Sequence, residues 1–280
     1  MSATPETALS TVTVIKPSAG WVPLRLVELW EYRELLYFFA WRDIKVRYKQ
    51  TALGLAWALL QPVLAMFVFS LFFGRLARMD SDGLPYPLFN LAGLVPWLFF
   101  LHGLSEGANS VIGSRDLITK VYFPRLLIPL APVLAGLLDL AIGVVLLVAV
   151  MSGYGVRLEL RALTVLPFIG LAVLSAVGAG LWLAAMNVQY RDVRYVLPFL
   201  TQLWLFATPV VYSSSLVPAP WRPLYGLNPM VGVVDGFRWA LLGASVSLTD
   251  LMVSICAAVV LAVTGALYFR RMERAFADIV

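Results

Sequence analysis

The chain has 280 residues, of which 61% are hydrophobic and only 13% charged, with a mean hydropathy of +0.85 and a net charge of +5. Soluble domains carry about 25% charged residues, so this composition excludes an ordinary soluble protein and points to an integral membrane protein. The positive excess does not signal nucleic-acid binding; it follows the bias of Lys and Arg towards the cytoplasmic side of a membrane protein, as their placement along the chain indicates.

Residues 1–28 hold Pro5, Glu6, Lys16 and Pro17 among Ser and Thr, without the apolar core of a signal peptide, and read as a cytosolic tail. Residues 29–52 are expected to form an amphipathic interface helix. Tyr32, Leu35, Leu36, Phe39 and Val46 share one face, and Glu31, Glu34, Arg42, Lys45 and Lys49 the other. Acids come early and bases late, which suits the helix dipole. Such a helix lies in the membrane surface, either as a plain anchor or as a contact for a cytosolic partner. Its basic end, Arg42, Lys45, Arg47 and Lys49, abuts a charge-free run over residues 51–74. Lys and Arg beside a span mark the cytoplasmic side, so the first span runs outward.

Residues 53–280 are expected to form one all-α transmembrane domain. Spans are predicted at about 53–74, 86–104, 127–151, 163–186, 196–212 and 249–269, each near the roughly 20 residues that cross the hydrocarbon. These runs are continuously apolar, which excludes a β-barrel, whose strands alternate. With six spans and the N-terminus inside, the inner segments hold 15 of the 21 Lys and Arg residues and the outer ones 6. The opposite topology inverts that ratio, so both termini are expected in the cytoplasm.

The inner loop 105–126 is long enough to have a role beyond turning the chain. Ser110–Lys120 is expected to contain a short helix exposing Arg115 and Asp116, and Phe123-Pro124-Arg125 makes a rigid lead-in to the third span. Between spans four and five, Arg191 and Asp192 either cap helix ends or dock a partner. Residues 213–248 lie outside and are too short for two spans, yet Met230–Ala244 is largely apolar. Pro218, Pro220, Trp221 and Pro223 break the chain, and Asn228-Pro229 is a strong helix start. Two short re-entrant helices are expected here. The plainer alternative is a surface hairpin with Trp221 and Trp239 in the aromatic belt.

No lysine of the four (Lys16, Lys45, Lys49, Lys120) follows a glycine, so the chain has no P-loop for ATP. No HExxH, GxSxG, GxGxxG or acidic metal motif occurs, and no catalytic residue or metal ligand is expected. Cys256 is alone and can form no intramolecular disulfide. His102, the single histidine, reads as a structural polar residue at a span end. Asp139, within the third span, has no basic partner in neighbouring spans and is a poor proton relay; it is either a functional carboxylate or one end of a helix–helix hydrogen bond. Aromatics within the spans, among them Trp57, Phe67, Trp204 and Phe206, are candidates for a path along which sugar CH faces stack.

Five motifs in order carry a resemblance over nearly the whole chain from Trp30. They are Arg42-Asp43-Ile44-Lys45-Val46-Arg47-Tyr48-Lys49 with Leu53-Gly54 and Trp57; Leu117-Ile118-Thr119-Lys120-Val121-Tyr122-Phe123-Pro124-Arg125; Asn187 with Tyr190-Arg191-Asp192; Pro209-Val210-Val211-Tyr212; and Leu227-Asn228-Pro229-Met230 through Gly236-Phe237-Arg238. The chain resembles the permease subunit of type-2 ABC exporters of polysaccharides and polyol phosphates, a class that includes the O-antigen and teichoic-acid export permeases. Ala207-Thr208 before Pro209 departs mildly from that pattern, where Ser is commoner.

The resemblance implies a homodimer beneath which two separate P-loop ATPase subunits dock, binding the ATP and Mg that this chain does not. It assigns Arg42, Asp43, Lys45, Arg47 and Lys49, the coupling residues Arg115, Asp116 and Lys120, and Arg191 and Asp192 to the ATPase interface. Trp221, Tyr225, Asn228, Pro229 and Arg238 fall to an outer gate. The implied cargo is a lipid-linked polysaccharide of the undecaprenyl type, such as O-antigen, leaving the bacterial inner membrane; teichoic acid, capsule, or a smaller lipid or drug are alternatives. A membrane glycosyl- or acyltransferase would need a base and usually a carboxylate pair at the membrane face. An ion-coupled carrier would need paired intramembrane charges or repeated broken helices. The sequence offers neither.

Overall fold

The computed structural model describes residues 26–49, 54–190 and 192–276; most of the expected tail, the junction 50–53 and Arg191 lie outside the described residues. Among the described residues the chain is helical, without strands. Helix α1 (Leu26–Glu31) and α2 (Arg33–Lys49) precede α3 (Gly54–Phe69), which continues as a π-helical segment over Ser70–Leu76. Then follow α4 (Tyr86–Gly113), α5 (Arg115–Lys120), α6 (Leu127–Gly153), α7 (Val165–Gln189), α8 (Val193–Phe206), α9 (Arg222–Gly226), α10 (Pro229–Leu242) and α11 (Leu248–Met272).

Among the described residues five helices are long and apolar enough to cross a bilayer: Ala56–Leu76, Tyr86–Gly113, Leu127–Gly153, Leu160–Gln189 and Leu248–Met272. They match five of the six expected spans. The sixth, expected over 196–212, is different. Helix α8 has 14 residues and stops at Phe206, short of the roughly 20 that span. Thr208-Pro209 ends it: proline holds the preceding residue away from helical geometry. Helix α4 also runs further than expected, through to Gly113, so the inner loop 105–126 is mostly helix.

Helix α4 is the hub. Its apolar window is 78% buried against 6% for that of α3, because α6, α7 and α10 enclose it while α3 leans on it from the edge. Leu88, Phe89, Leu91, Phe99 and Phe100 form the centre of the core. Helices α7 and α11 approach closely enough that a Cβ at Gly265 would lie 2.5 Å from the Gly178 carbonyl oxygen; small residues permit such approaches in membrane bundles.

The expected short helices of 213–248 are present as α9 and α10. Asn228 caps α10, its Oδ1 accepting from the Met230 N–H at 3.1 Å, with Pro229 in the first turn. Gly243, at φ 77°, ends it in the left-handed region that glycine favours. Almost every residue of α10 is buried, which removes the surface-hairpin alternative: Trp239 packs edge-on against Phe168, their rings 6.2 Å apart. At Gly236 a Cβ would overlap the Phe168 ring. Gly236→Ala is therefore expected to cost about 1–3 kcal/mol through overpacking, read as a lowered thermal midpoint in detergent. An unchanged midpoint would show that Phe168 moves aside freely.

Candidate functional site

Three regions collect the residues that the sequence singled out. The first is the end of the bundle where α1, α2, α5 and the close of α11 meet. Phe39 of α2 packs edge-on against Phe123, their rings 5.7 Å apart, beneath the turn that follows α5. Arg270 of α11 lies 3.5 Å from Glu28 and 3.1 Å from Glu273, and Arg125 donates to the Glu273 carbonyl. These contacts hold the pre-membrane helices, the α5 turn and the end of α11 as one platform. Asn187 is buried here and donates to the Ala108 carbonyl at 2.8 Å, fastening α7 to α4.

On that platform Arg115, Asp116 and Lys120 of α5 are exposed, and Ile118 is turned inward. Arg42 and Lys45 are exposed, Arg42 paired with Asp43 at 2.9 Å and Lys45 placed over the Trp41 ring. Lys49 is exposed too, and Asp192 sits at the N-terminal edge of α8, its side chain making no capping bond. Arg191 lies outside the described residues. Arg42 and Asp43 also border a cleft of about 330 Å³ between α2, α4, α5 and α6.

Two placements correct the expected face of α2. Val46 is 58% exposed rather than packed, while Arg47 points away from the outward basic face and into the bundle. Its guanidinium pairs with Asp139 of α6 and touches the His102 ring of α4, at 2.9 Å from Nδ1. Tyr48 donates to the same carboxylate. Burial, then the Asp139 carboxylate, push the Tyr48 phenol pKa well up, so it stays a donor. Asp139 thus has the basic partner that the sequence did not show. That partner comes from α2, where only transmembrane neighbours had been considered. His102, read as a structural polar residue, belongs to this cluster.

The cluster caps the second region, a cavity of about 780 Å³ between α2, α3, α4 and α6. Of the aromatics expected to line a path, Trp57 borders this cavity. Phe67 and Phe206 are exposed on the outside of α3 and α8. Trp204 does other work: its ring packs edge-on against Phe100 at 5.0 Å and its indole N–H donates to Asn228 Oδ1 at 3.0 Å. The cap of α10 is thereby also its tie to α8.

The third region is the opposite end of the bundle. Arg238 is 2% exposed and its fork ties three segments, donating to the Phe89 carbonyl at 3.1 Å and the Val210 carbonyl at 2.8 Å, with the Phe89 ring 3.5 Å beneath it. Asp235 faces it at 3.8 Å. Arg238, which the resemblance assigned to an outer gate, is an internal strut at this end of the bundle. Asp82 accepts from Ser213 and Ser215, fastening the loop before α4 to the one after α8. Tyr225 meets the Tyr212 hydroxyl at 2.9 Å. Burial, then that bond, raise the Tyr225 pKa, so the phenol stays neutral. Trp221 is exposed, and Pro229 is buried.

An apolar multi-helix bundle, with charged short helices at one end and a buried proline-started helix at the other, defines a polytopic membrane protein of the permease class. The chain belongs to the ABC-2 type transporter family, which residues 34–242 match. It is 33% identical to the O-antigen export system permease protein RfbA of Myxococcus xanthus over 77% of this chain and 83% of that protein. The permease of the same name from Klebsiella pneumoniae is 25% identical over 88% of this chain and 95% of its own length. The polysialic acid transport protein KpsM of Escherichia coli is 25% identical over 74% and 80%. These relatives are transport components, and the chain is a multi-pass membrane protein of that kind.

Proposed function

We propose that this chain is the membrane subunit of an ATP-driven exporter that moves a lipid-linked polysaccharide, of the O-antigen type, out across the bacterial inner membrane. The observation that carries this reading is the match over residues 34–242 together with relatives of nearly equal length named for O-antigen export. With no P-loop in the sequence, a second chain supplies ATP and Mg binding. Two copies of this chain and two ATPase subunits form the working unit, with both termini of the permease in the cytoplasm.

In this reading the exposed charges of α5, with Arg42, Lys45, Lys49 and Asp192, meet the ATPase, and α9 and α10 close the outer side. Lipid-linked glycan passes between the permease copies. Its sugars stack on aromatic rings such as Trp57, Phe67 and Phe206.

The test is co-expression with a P-loop ATPase encoded beside it, followed by reconstitution. The two should co-purify, hydrolysis should rise when lipid-linked glycan is added, and glycan should reach the far side of the vesicle. The permease alone should hydrolyse no ATP. Hydrolysis by the permease alone, or stimulation by hydrophobic drugs but not by glycan lipid, would overturn the reading.

A further inference from the structure

Helix α2 does not meet α6 at a single level. Phe39 packs against Phe123, just before α6 begins. Arg42 borders a cleft with Ile128, Ala131 and Pro132 in the first turns of α6. Arg47 and Tyr48 reach Asp139. The contacts advance along both helices in the same direction, over about 12 Å of α2 and about 18 Å of α6. A helix lying flat on a membrane surface would cross α6 once. Helix α2 instead climbs beside the first half of α6, and it lies against α6 more than against α3, the span it leads into. Val46, 58% exposed beside Arg47, then faces lipid at that depth.

The far end of this contact is ionic. Asp139 stands near the middle of α6, where a lone carboxylate is expensive. Arg47 matches its charge, Tyr48 donates to it, and the same guanidinium touches His102 of α4. Sliding α2 along α6 would leave a guanidinium and a carboxylate unpaired away from water, the costly way to break such a pair. An aromatic contact such as Phe39 on Phe123 tolerates a small slip, whereas the charge pair holds one register. Helix α3 is held differently. Its apolar window is 6% buried, it carries Pro62 in its interior, and it runs on into the π-helical Ser70–Leu76. Proline and π-helical turns are the usual places where a helix bends.

We infer that Arg47 and Asp139 are positioning residues for transport. They latch α2 to α6, so that motion imposed on α2 passes to the third span as one body while α3 moves separately. The source of that motion rests on the reading above, in which an ATPase meets the exposed face of α2.

Spin-label distances test the latch without any transport. In the full chain with Cys256→Ser, labels are placed through Lys45→Cys on α2 and Val145→Cys on α6, or through Lys45→Cys and Phe67→Cys on α3, all at exposed positions. The α2–α6 distance should be narrow in the otherwise wild-type chain and broaden with Asp139→Asn or Arg47→Gln. Arg47→Asp combined with Asp139→Arg should narrow it again. When the ATPase and nucleotide are added, the α2–α6 distance should hold and the α2–α3 distance should change. In the reconstituted exporter each single variant should lower the glycan moved per ATP about tenfold, within the usual range of a coupling effect, while hydrolysis continues. The exchanged pair should recover most of it. A narrow α2–α6 distance in Asp139→Asn overturns the inference, as does wild-type export per ATP in both single variants. Loss of hydrolysis and export together with a lowered thermal midpoint would make the pair merely structural and also overturns it. A nucleotide-dependent α2–α6 distance in the wild-type chain overturns it whether or not the variants fold. A wild-type exporter that moves no glycan would overturn the proposed cargo instead, and the distances would still decide the latch.

Discussion

Arg238→Ala is expected to leave almost no folded protein. The substitution strands Asp235 in the interior and leaves the Phe89 and Val210 carbonyls without their buried donor. Removing one partner of a buried pair costs about 3–5 kcal/mol, a large share of the roughly 5–15 kcal/mol that holds a domain together. Arg238→Lys keeps the charge and loses the fork, so it should fall between the two. Yield after extraction and the thermal midpoint in detergent read both effects. A stable alanine variant would mean that α10 is held by its apolar packing alone.

Reversing Arg115, Asp116 and Lys120 together should do the opposite: the protein folds, and the transporter fails. Asp116 and Lys120 keep 93% and 75% of their side-chain surface open and lie 3.9 Å apart on one face of α5. Exposed substitutions of this kind change stability by about 0.5 kcal/mol or less. If the face meets the ATPase, glycan export should drop to background in reconstituted vesicles while ATP hydrolysis continues. Normal export by the triple reversal would remove α5 from the coupling path. Neutral substitutions that only lower the amount of inserted protein would instead mark the charges as membrane-surface anchors.

The local signals in this sequence translate directly into structure. Asn228-Pro229 and Gly243 delimit α10 because capping and left-handed termination depend on a few adjacent residues. The exposed charges of α5 were legible because Arg115, Asp116 and Lys120 cluster within six residues of a polar loop. What the sequence withheld is held by distance. Arg47 and Asp139 are 92 positions apart, and no periodicity in α2 distinguishes a basic residue that faces a partner from one that reaches into a bundle. Val46 was counted on the packed face and is 58% exposed, while Arg47, grouped with the basic run of Arg42, Lys45 and Lys49, reaches Asp139 and His102. The resemblance put Arg238 at an outer gate, and its neighbours in sequence do not show what its guanidinium binds. Only the approach of α4 and the Val210 turn shows that its donors are consumed. The sixth expected span is shorter than its hydropathy suggested for a different reason: hydropathy over 196–212 stays high through Thr208-Pro209, where backbone geometry has already stopped the helix at Phe206.

That short helix has a consequence for the bilayer itself. Fourteen residues rise about 21 Å against a hydrocarbon thickness of about 30 Å. Phe199 and Leu203 on its outer side are exposed and apolar, so lipid tails are their natural neighbours. Beside α8 that shorter apolar face is a mismatch, met at a cost of fractions of a kcal/mol for each ångström. A polar headgroup travelling past that flank would meet a shorter apolar face than beside the five longer helices.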